Sequence, residues 1–203
     1  MNMQRSIFGK KVVTPEGRIK FPHLFRPNAK YGSDKCSVEL LIPKSSDITE
    51  LKEAMKAVVQ EAFGAAVKGP KDLAFPPIID GDTPNMDGKV YDENKGHWII
   101  RGKGKKNQMP IKIVDHGLRV VTDEKEVYPG RNARLALVPY SYRQGSRPGI
   151  SWQLRSVQLL PGGDRFALSP EDGDDGNDFM PVEVSVESQI AFKLDDEVQD
   201  DSF

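Results

Sequence analysis

The 203-residue sequence predicts a mainly β protein, namely a closed or nearly closed OB-fold-type barrel with one amphipathic helix and a flexible acidic C-terminal tail. Three observations support this class. Short runs of β-branched and aromatic residues, bounded by Gly, Pro, Asn or Asp, dominate the first 168 residues. One segment has helical periodicity. Acidic side chains crowd the end of the chain.

The predicted strands follow one another along the whole body of the chain. They cover residues 6–14, 18–25, 35–42, 97–101, 110–114, 118–122, 131–142 and 149–160. Several short strands around one helix favour a closed barrel, because closure leaves no exposed edge to pair with another molecule.

A helix is predicted over about residues 47–67. Asp47 and Glu50 have the spacing of a capping box, and apolar residues then recur every three or four positions as far as Phe63. Residues 68–96 contain four prolines and four glycines. We therefore expect that segment to be a long excursion on the surface, of the kind that often carries binding residues.

Charge divides the chain into two parts. Residues 171–203 contain twelve acidic side chains and one basic side chain, so the preceding part carries a net charge of about +10. We predict one domain over residues 1–168 and a tail over residues 169–203. A basic body with an acidic tail is typical of a nucleic-acid binder that carries its own electrostatic competitor. The alternative is a tail that only promotes solubility.

The composition argues against several other classes of protein. The single cysteine, Cys36, allows neither an intrachain disulfide nor a zinc site built on paired cysteines, and the histidines lack metal-ligand spacing. A dinucleotide fingerprint and a phosphate loop are both missing, so no cofactor is expected. No run of residues is apolar over the length of a bilayer, which predicts a cytosolic protein with no membrane association.

A basic turn is the first candidate for a nucleic-acid surface. Trp98 and Arg101 lead into Lys103, Lys105 and Lys106, with glycines that would let the backbone bend around a phosphate chain. Lysines act as point charges, so such contacts would not read base sequence. The alternative is a solvated hairpin tip.

A long strand and the turn after it are the second candidate. The residues are Arg134, Tyr140, Tyr142, Arg143, Arg147 and Trp152. The first three share one face, because side chains alternate along a strand. Aromatic rings stack on bases while arginines pair with phosphates, so this pattern is typical of a single-strand platform. Tyr140 and Trp152 could instead be core or rim aromatics.

Four stretches near the end of the body carry a family resemblance. They are residues 127–131 (VYPGR), 135–142 (LALVPYSY), 148–158 (PGISWQLRSVQ) and 162–166 (GGDRF). In these stretches the chain resembles a family of bacteriophage single-stranded DNA-binding proteins, first catalogued as a domain of unknown function. The resemblance implies an OB-fold protein that coats single strands during DNA replication and recombination, in the bacterial host cytoplasm if it is phage-encoded. It implies no catalytic residue.

The end of the tail also resembles the tails of phage and bacterial single-strand binders. Its residues are Asp195, Asp196, Glu197, Asp200, Asp201 and Phe203. We predict that the tail competes with DNA and recruits a replication protein such as a polymerase, helicase or primase. Valines alternate with polar residues over 182–187, a pattern that also fits an additional edge strand or docking on another copy of the protein. Binding to duplex DNA and homo-oligomerisation stay open.

Two other classes of function remain as alternatives. Asp80, Asp82, Asp87, Asp92 and Glu93 could hold Mg²⁺ in a phage nuclease or recombination enzyme. Turn residues surround these acids, however, so a solvated loop is the simpler interpretation and a non-catalytic binder is preferred. The third class is an adaptor whose basic face binds an acidic protein.

Overall fold

The computed structural model describes residues 6–28, 33–84, 88–105 and 111–166. The chain divides after Phe166 into two units, and the described residues all belong to the first. The strands of this unit are β1 (Val12–Val13), β2 (Gly17–His23), β3 (Ser37–Pro43), β4 (Ile79–Asp80), β5 (His97–Lys103), β6 (Lys112–Val114), β7 (Asn132–Gln144) and β8 (Arg147–Leu159). Helix α1 spans Thr49–Phe63.

Five of the strands form a closed ring. Hydrogen-bonded neighbours follow the order β7, β2, β3, β5 and β8, and β8 pairs in turn with β7. The β5–β8 pairing is parallel and the other four pairings in the ring are antiparallel. The prediction of a mainly β protein with closed strands and one helix is therefore confirmed.

The core fills the inside of this ring. Strand β7 shows the alternation clearly, because Ala133, Leu135 and Leu137 are fully buried while Arg134 between them is exposed. The inward side chains of the other strands join the same cluster. Burial of apolar area is the main stabilising contribution to such a core, at about 25 cal/mol per Å².

Helix α1 is shorter than predicted. It begins at Thr49, whose backbone N–H donates to Oδ1 of Asp47 at 2.9 Å, so Asp47 forms a local turn instead of a capping box with Glu50. A short 3₁₀ turn, Gly64–Ala66, follows the last helical residue. Leu51, Ala54 and Val58 are the buried residues of the helix.

Three predicted segments differ from the structure. Of residues 6–14, only Val12–Val13 form a strand, with one isolated bridge at Phe8. Residues 118–122 contain one bridge, because Asp115 accepts hydrogen bonds from the Arg119 backbone and side chain and closes a turn instead. The excursion over 68–96 adds the unpredicted strand β4 to the edge of β5.

The described part of the chain contains no helix that is both long and apolar enough to cross a membrane.

Candidate nucleic-acid interface

A cleft of about 200 Å³ opens on the outer face of the ring. Its lining residues are Ser6, Phe8, Lys35, Lys103, Gly104, Lys105, Tyr140 and Gln153. They come from the N-terminal segment, the approach to β3, the end of β5, and strands β7 and β8. We call this site the aromatic cleft. It brings three of the predicted residues, Lys103, Lys105 and Tyr140, to one place.

The aromatic side of the cleft is a pair of stacked rings. The centroids of Phe8 and Tyr140 lie 5.6 Å apart with 25° between the ring planes. Phe8 is held against β7 by its neighbours, because Gly9 N donates to the Pro139 carbonyl at 2.8 Å and Ile7 N donates to Ser141 Oγ at 2.8 Å. Phe8 is nevertheless 52% exposed, so much of its ring remains accessible.

Tyr142 continues this row of rings along β7. Its centroid lies 6.4 Å from that of Tyr140. The Tyr142 ring lies over Gly149 on β8, where an added Cβ would come within 2.3 Å of the tyrosine Cζ, so only glycine fits there. Burial, with a smaller effect from Tyr140, raises the pKa of the Tyr142 phenol above its ordinary value.

The basic side of the cleft is formed by lysines from two neighbouring strands. Lys103 lies opposite Ser37 in the β3–β5 ladder, and Gly104 N donates to the Cys36 carbonyl at 2.7 Å. The same register, continued past Lys103, brings Lys35 and Lys105 opposite each other at the end of the ladder. None of the three ammonium groups forms a salt bridge with any residue that the structure describes. They are free to meet phosphates.

The glycines of the basic turn pack closely against the core. A Cβ at Gly104 would lie 2.9 Å from Ile111 Cδ1, and a Cβ at Gly102 would lie 3.1 Å from Leu137 Cδ2. Both positions therefore face packed core side chains. Close packing against the core is therefore a further reason for glycine at Gly104, and the predicted bending around a phosphate chain stays a prediction.

Arg101 shares its face of β5 with Lys103 but is already paired. Its Nε lies 2.5 Å from Oε1 of Glu39, the residue directly opposite on β3. The remaining basic residue of this turn, Lys106, lies outside the described residues. Arg101 thus borders the cleft with its charge partly neutralised.

The predicted tryptophans do not line the cleft. Trp98 has the opposite parity to Lys103 on β5 and packs against the core, with the ammonium groups of Lys44 and Lys52 at 5.0 and 5.5 Å from its ring. The prediction that Trp152 lies at the DNA-binding surface is wrong, because its side chain is only 1% exposed. It pairs with the inward-facing Pro139, and its indole N–H donates to the Pro77 carbonyl at 2.8 Å.

The predicted arginines are also spread over the surface. Arg134 lies in a second cleft of about 350 Å³, beside Asp47 and Glu50 near the start of α1. The Arg143 guanidinium lies 5.5 Å from the Phe63 ring centre. Arg147 donates to the Leu73 carbonyl at 2.9 Å and so helps to fix the surface excursion. The structure therefore does not bring these three side chains into the aromatic cleft.

The acidic loop is neutralised by lysines. Lys44 Nζ lies 2.5 Å from Asp80 Oδ1 and 2.6 Å from Asp82 Oδ2, and its hydrogen bonds hold the pKa of both carboxyls below the ordinary value. The buried Lys20 reaches Glu93 at 2.8 Å. Burial alone would raise the pKa of Glu93, but the Lys20 hydrogen bond contributes to a net lowering.

The ammonium group of Lys44 lies between Asp80 and Asp82, where a metal ion shared by the two carboxylates would have to bind. Asp92 is paired with Lys95 at 2.6 Å, and Asp87 lies outside the described residues. Within residues 6–28, 33–84, 88–105 and 111–166, no group of three or more His, Cys, Asp or Glu side chains could hold a metal ion.

A ring of strands that carries stacked aromatics beside unpaired lysines is the arrangement by which proteins bind single-stranded nucleic acid. The family comparison agrees with this class. The family model described as the ssDNA-binding protein of Enterobacter phage Enc34 matches residues 10–186. The chain belongs to that family. No curated protein matches it by sequence.

Solved structures of phage proteins share the fold. The single-stranded DNA-binding protein from bacteriophage Enc34 in complex with ssDNA is 21% identical, with a TM-score of 0.61, over 77% of this chain and 89% of that chain. Another structure of the Enc34 protein gives a TM-score of 0.60 at 21% identity, over 80% and 88% of the two chains. The protein gp2.5 of bacteriophage T7, a single-stranded DNA-binding protein, is 19% identical, with a TM-score of 0.53, over 86% of this chain and 100% of that chain.

Proposed function

We propose that this protein binds single-stranded DNA without sequence specificity and coats it during phage DNA replication and recombination in the host cytoplasm. The observation that carries the proposal is the aromatic cleft, where the Phe8–Tyr140 stack faces Lys35, Lys103 and Lys105. Membership of a family of ssDNA-binding proteins supports it.

The cleft fits the two recurring groups of a single strand. Bases would stack on Phe8, Tyr140 and Tyr142, because every base offers a π-face. Phosphates would meet the lysine ammonium groups, which carry charge but do not distinguish one nucleotide from the next. A strand lying across β7 and β8 would touch both groups. Arg101, on the same face of β5 as Lys103, adds positive charge at the border of the cleft.

We propose a second role for the acidic tail, which lies outside the described residues. An unstructured chain as long as the acidic segment 171–203, which has 33 residues, has a root-mean-square reach of about 30 Å, comparable with the diameter of a small domain. Its carboxylates can therefore compete with phosphates for a basic cleft on the same molecule or on a neighbour. Release by DNA would leave Phe203 and the adjacent acids available to a basic pocket on a replication protein.

The salt dependence of binding tests the role of the cleft. The logarithm of affinity for a single strand should fall with the logarithm of salt concentration at about −0.7 per phosphate neutralised. Joint replacement of Lys103 and Lys105 by alanine should make the slope shallower by about 1.4, two such contacts. Lys56→Ala, an exposed lysine of α1 outside the cleft, is the matched control and should leave the slope unchanged. An unchanged slope in the double variant would place the contacts elsewhere.

The same titrations separate the alternative functions. Labelled single strand, duplex and RNA should be incubated with and without Mg²⁺. A salt-sensitive shift without cleavage supports the binder, whereas Mg²⁺-dependent cleavage would establish an enzyme. Absence of binding to any nucleic acid would favour the adaptor with an acidic protein partner.

A further inference from the structure

Gln153 lies on the floor of the aromatic cleft, between its two sides. On β8 it pairs with Lys103 of β5 and with Val138 of β7. Val138 is two residues from Tyr140, so the Gln153 side chain shares the face of the Tyr140 ring. It is only 8% exposed. A buried amide is costly unless its hydrogen-bonding groups find partners, so its orientation matters.

Arg155 determines which end of the Gln153 amide has no hydrogen-bond partner. Arg155 Nη1 donates to Gln153 Oε1 at 3.2 Å. A guanidinium has donors and no acceptor, so the amide oxygen and not the nitrogen must face Arg155. The described residues supply no acceptor for Gln153 Nε2. The amide nitrogen of Gln153 is therefore an unused hydrogen-bond donor at the floor of the cleft.

We propose that Gln153 is a specificity-determining residue that favours keto bases, thymine and guanine, over amino bases, cytosine and adenine. The inference rests on the proposed single-strand binding. A base stacked on Phe8 or Tyr140 brings one edge toward the floor. Where the exocyclic group faces Gln153, thymine O4 and guanine O6 accept a hydrogen bond from the amide nitrogen, whereas the amino groups of cytosine and adenine oppose donor to donor.

The preference is modest in size. One neutral hydrogen bond corresponds to about a fivefold change in affinity, and a donor left unsatisfied beside an amino group acts in the same direction. A bias of this size at one position leaves the protein able to coat any strand. It differs from a preference for flexible pyrimidine tracts, because it separates one pyrimidine, thymine, from another, cytosine, by the group at position 4.

The test compares two oligonucleotides whose bases differ in the exocyclic group at position 4 and in the proton on N3. Oligothymidylate and oligo-5-methyldeoxycytidylate of equal length share the methyl group, but the exocyclic O4 of one is an amino group in the other. The wild-type protein should bind oligothymidylate about fivefold more tightly. Gln153→Met keeps the side-chain length without the amide, and its affinity ratio should fall to about one.

Arg155→Met provides a second route to the same result. It frees the amide to rotate and offer its oxygen, so its ratio should also approach one even if Gln153→Met fails to fold. Each ratio is measured within one variant, so a partly unfolded sample lowers both affinities equally. Equal wild-type affinities, or a fivefold ratio that survives both substitutions, would overturn this inference alone. A wild-type protein that binds neither oligonucleotide would instead overturn the proposed function.

Discussion

Replacing Phe8 with alanine is the sharpest test of the aromatic cleft. The Phe8 ring contacts Tyr140 at 5.6 Å between centroids and is 52% exposed, so it has one face for the protein and area left for a base. A base stacked on an aromatic side chain contributes about 1 to 3 kcal/mol. Phe8→Ala should therefore raise the Kd for single strands by about 5- to 150-fold.

The expected effect of this substitution on stability is smaller. A fully buried phenylalanine costs about 3 to 5 kcal/mol on truncation to alanine. Since about half of the Phe8 side chain is already in water, about 2 kcal/mol is expected here. The backbone hydrogen bonds of Ile7 and Gly9 to β7 do not involve the ring and should persist.

The measurement pairs binding with folding. Fluorescence anisotropy of a labelled single strand at one fixed salt concentration gives the Kd, and thermal melting of the same samples shows the folded fraction. Phe75→Ala is the matched control, because Phe75 is 55% exposed and does not line the cleft. A folded Phe8→Ala protein with wild-type affinity would refute the stacking argument. A loss at Phe75 instead would move the stacking surface to the excursion over 68–96.

Three further predictions address other parts of the molecule. Trp152→Ala should lower the free energy of unfolding by about 3 to 5 kcal/mol, measured by urea denaturation, while the folded fraction keeps its affinity for DNA. A loss of affinity at unchanged stability would show that Trp152 contacts DNA. The lowered pKa of Glu93 means that its pairing with Lys20 stabilises the fold above the unfolded pKa and is lost as pH falls through the folded pKa. Glu93→Ala should therefore destabilise the protein by up to about 3 kcal/mol at neutral pH. If the difference in free energy of unfolding between wild type and variant does not shrink in acid, the ion-pair explanation is wrong. Deleting residues 195–203 should tighten binding to single strands at low salt, with a gain that fades as salt rises, whereas identical binding at every salt concentration would exclude competition by the tail.

The face of β7 illustrates what local pattern alone can predict. Side chains alternate along a strand whatever surrounds it, so the shared side of Arg134, Tyr140 and Tyr142 follows from their spacing. Whether Trp152 lies on the same face as the tyrosines depends in addition on the register between β7 and β8. The register puts Trp152 opposite Pro139 and Ser151 opposite Tyr140, and so sends the tryptophan into the core.

The cleft itself depends on contacts between residues far apart in the chain. Phe8 lies 132 positions from Tyr140, and no local pattern links an isolated phenylalanine near the N-terminus to a strand near the end of the body. Lys35 is a similar case, because it reaches Lys103 only through the β3–β5 ladder.

Composition, periodicity and charge determined the mainly β class, the single helix and the contrast between a basic body and an acidic tail, since each is a property of neighbouring residues. Tertiary structure decided which lysines stay unpaired, which aromatic rings reach the surface and which end of the Gln153 amide is free. Those properties depend on strand register and ring closure, which act between residues that the sequence keeps far apart.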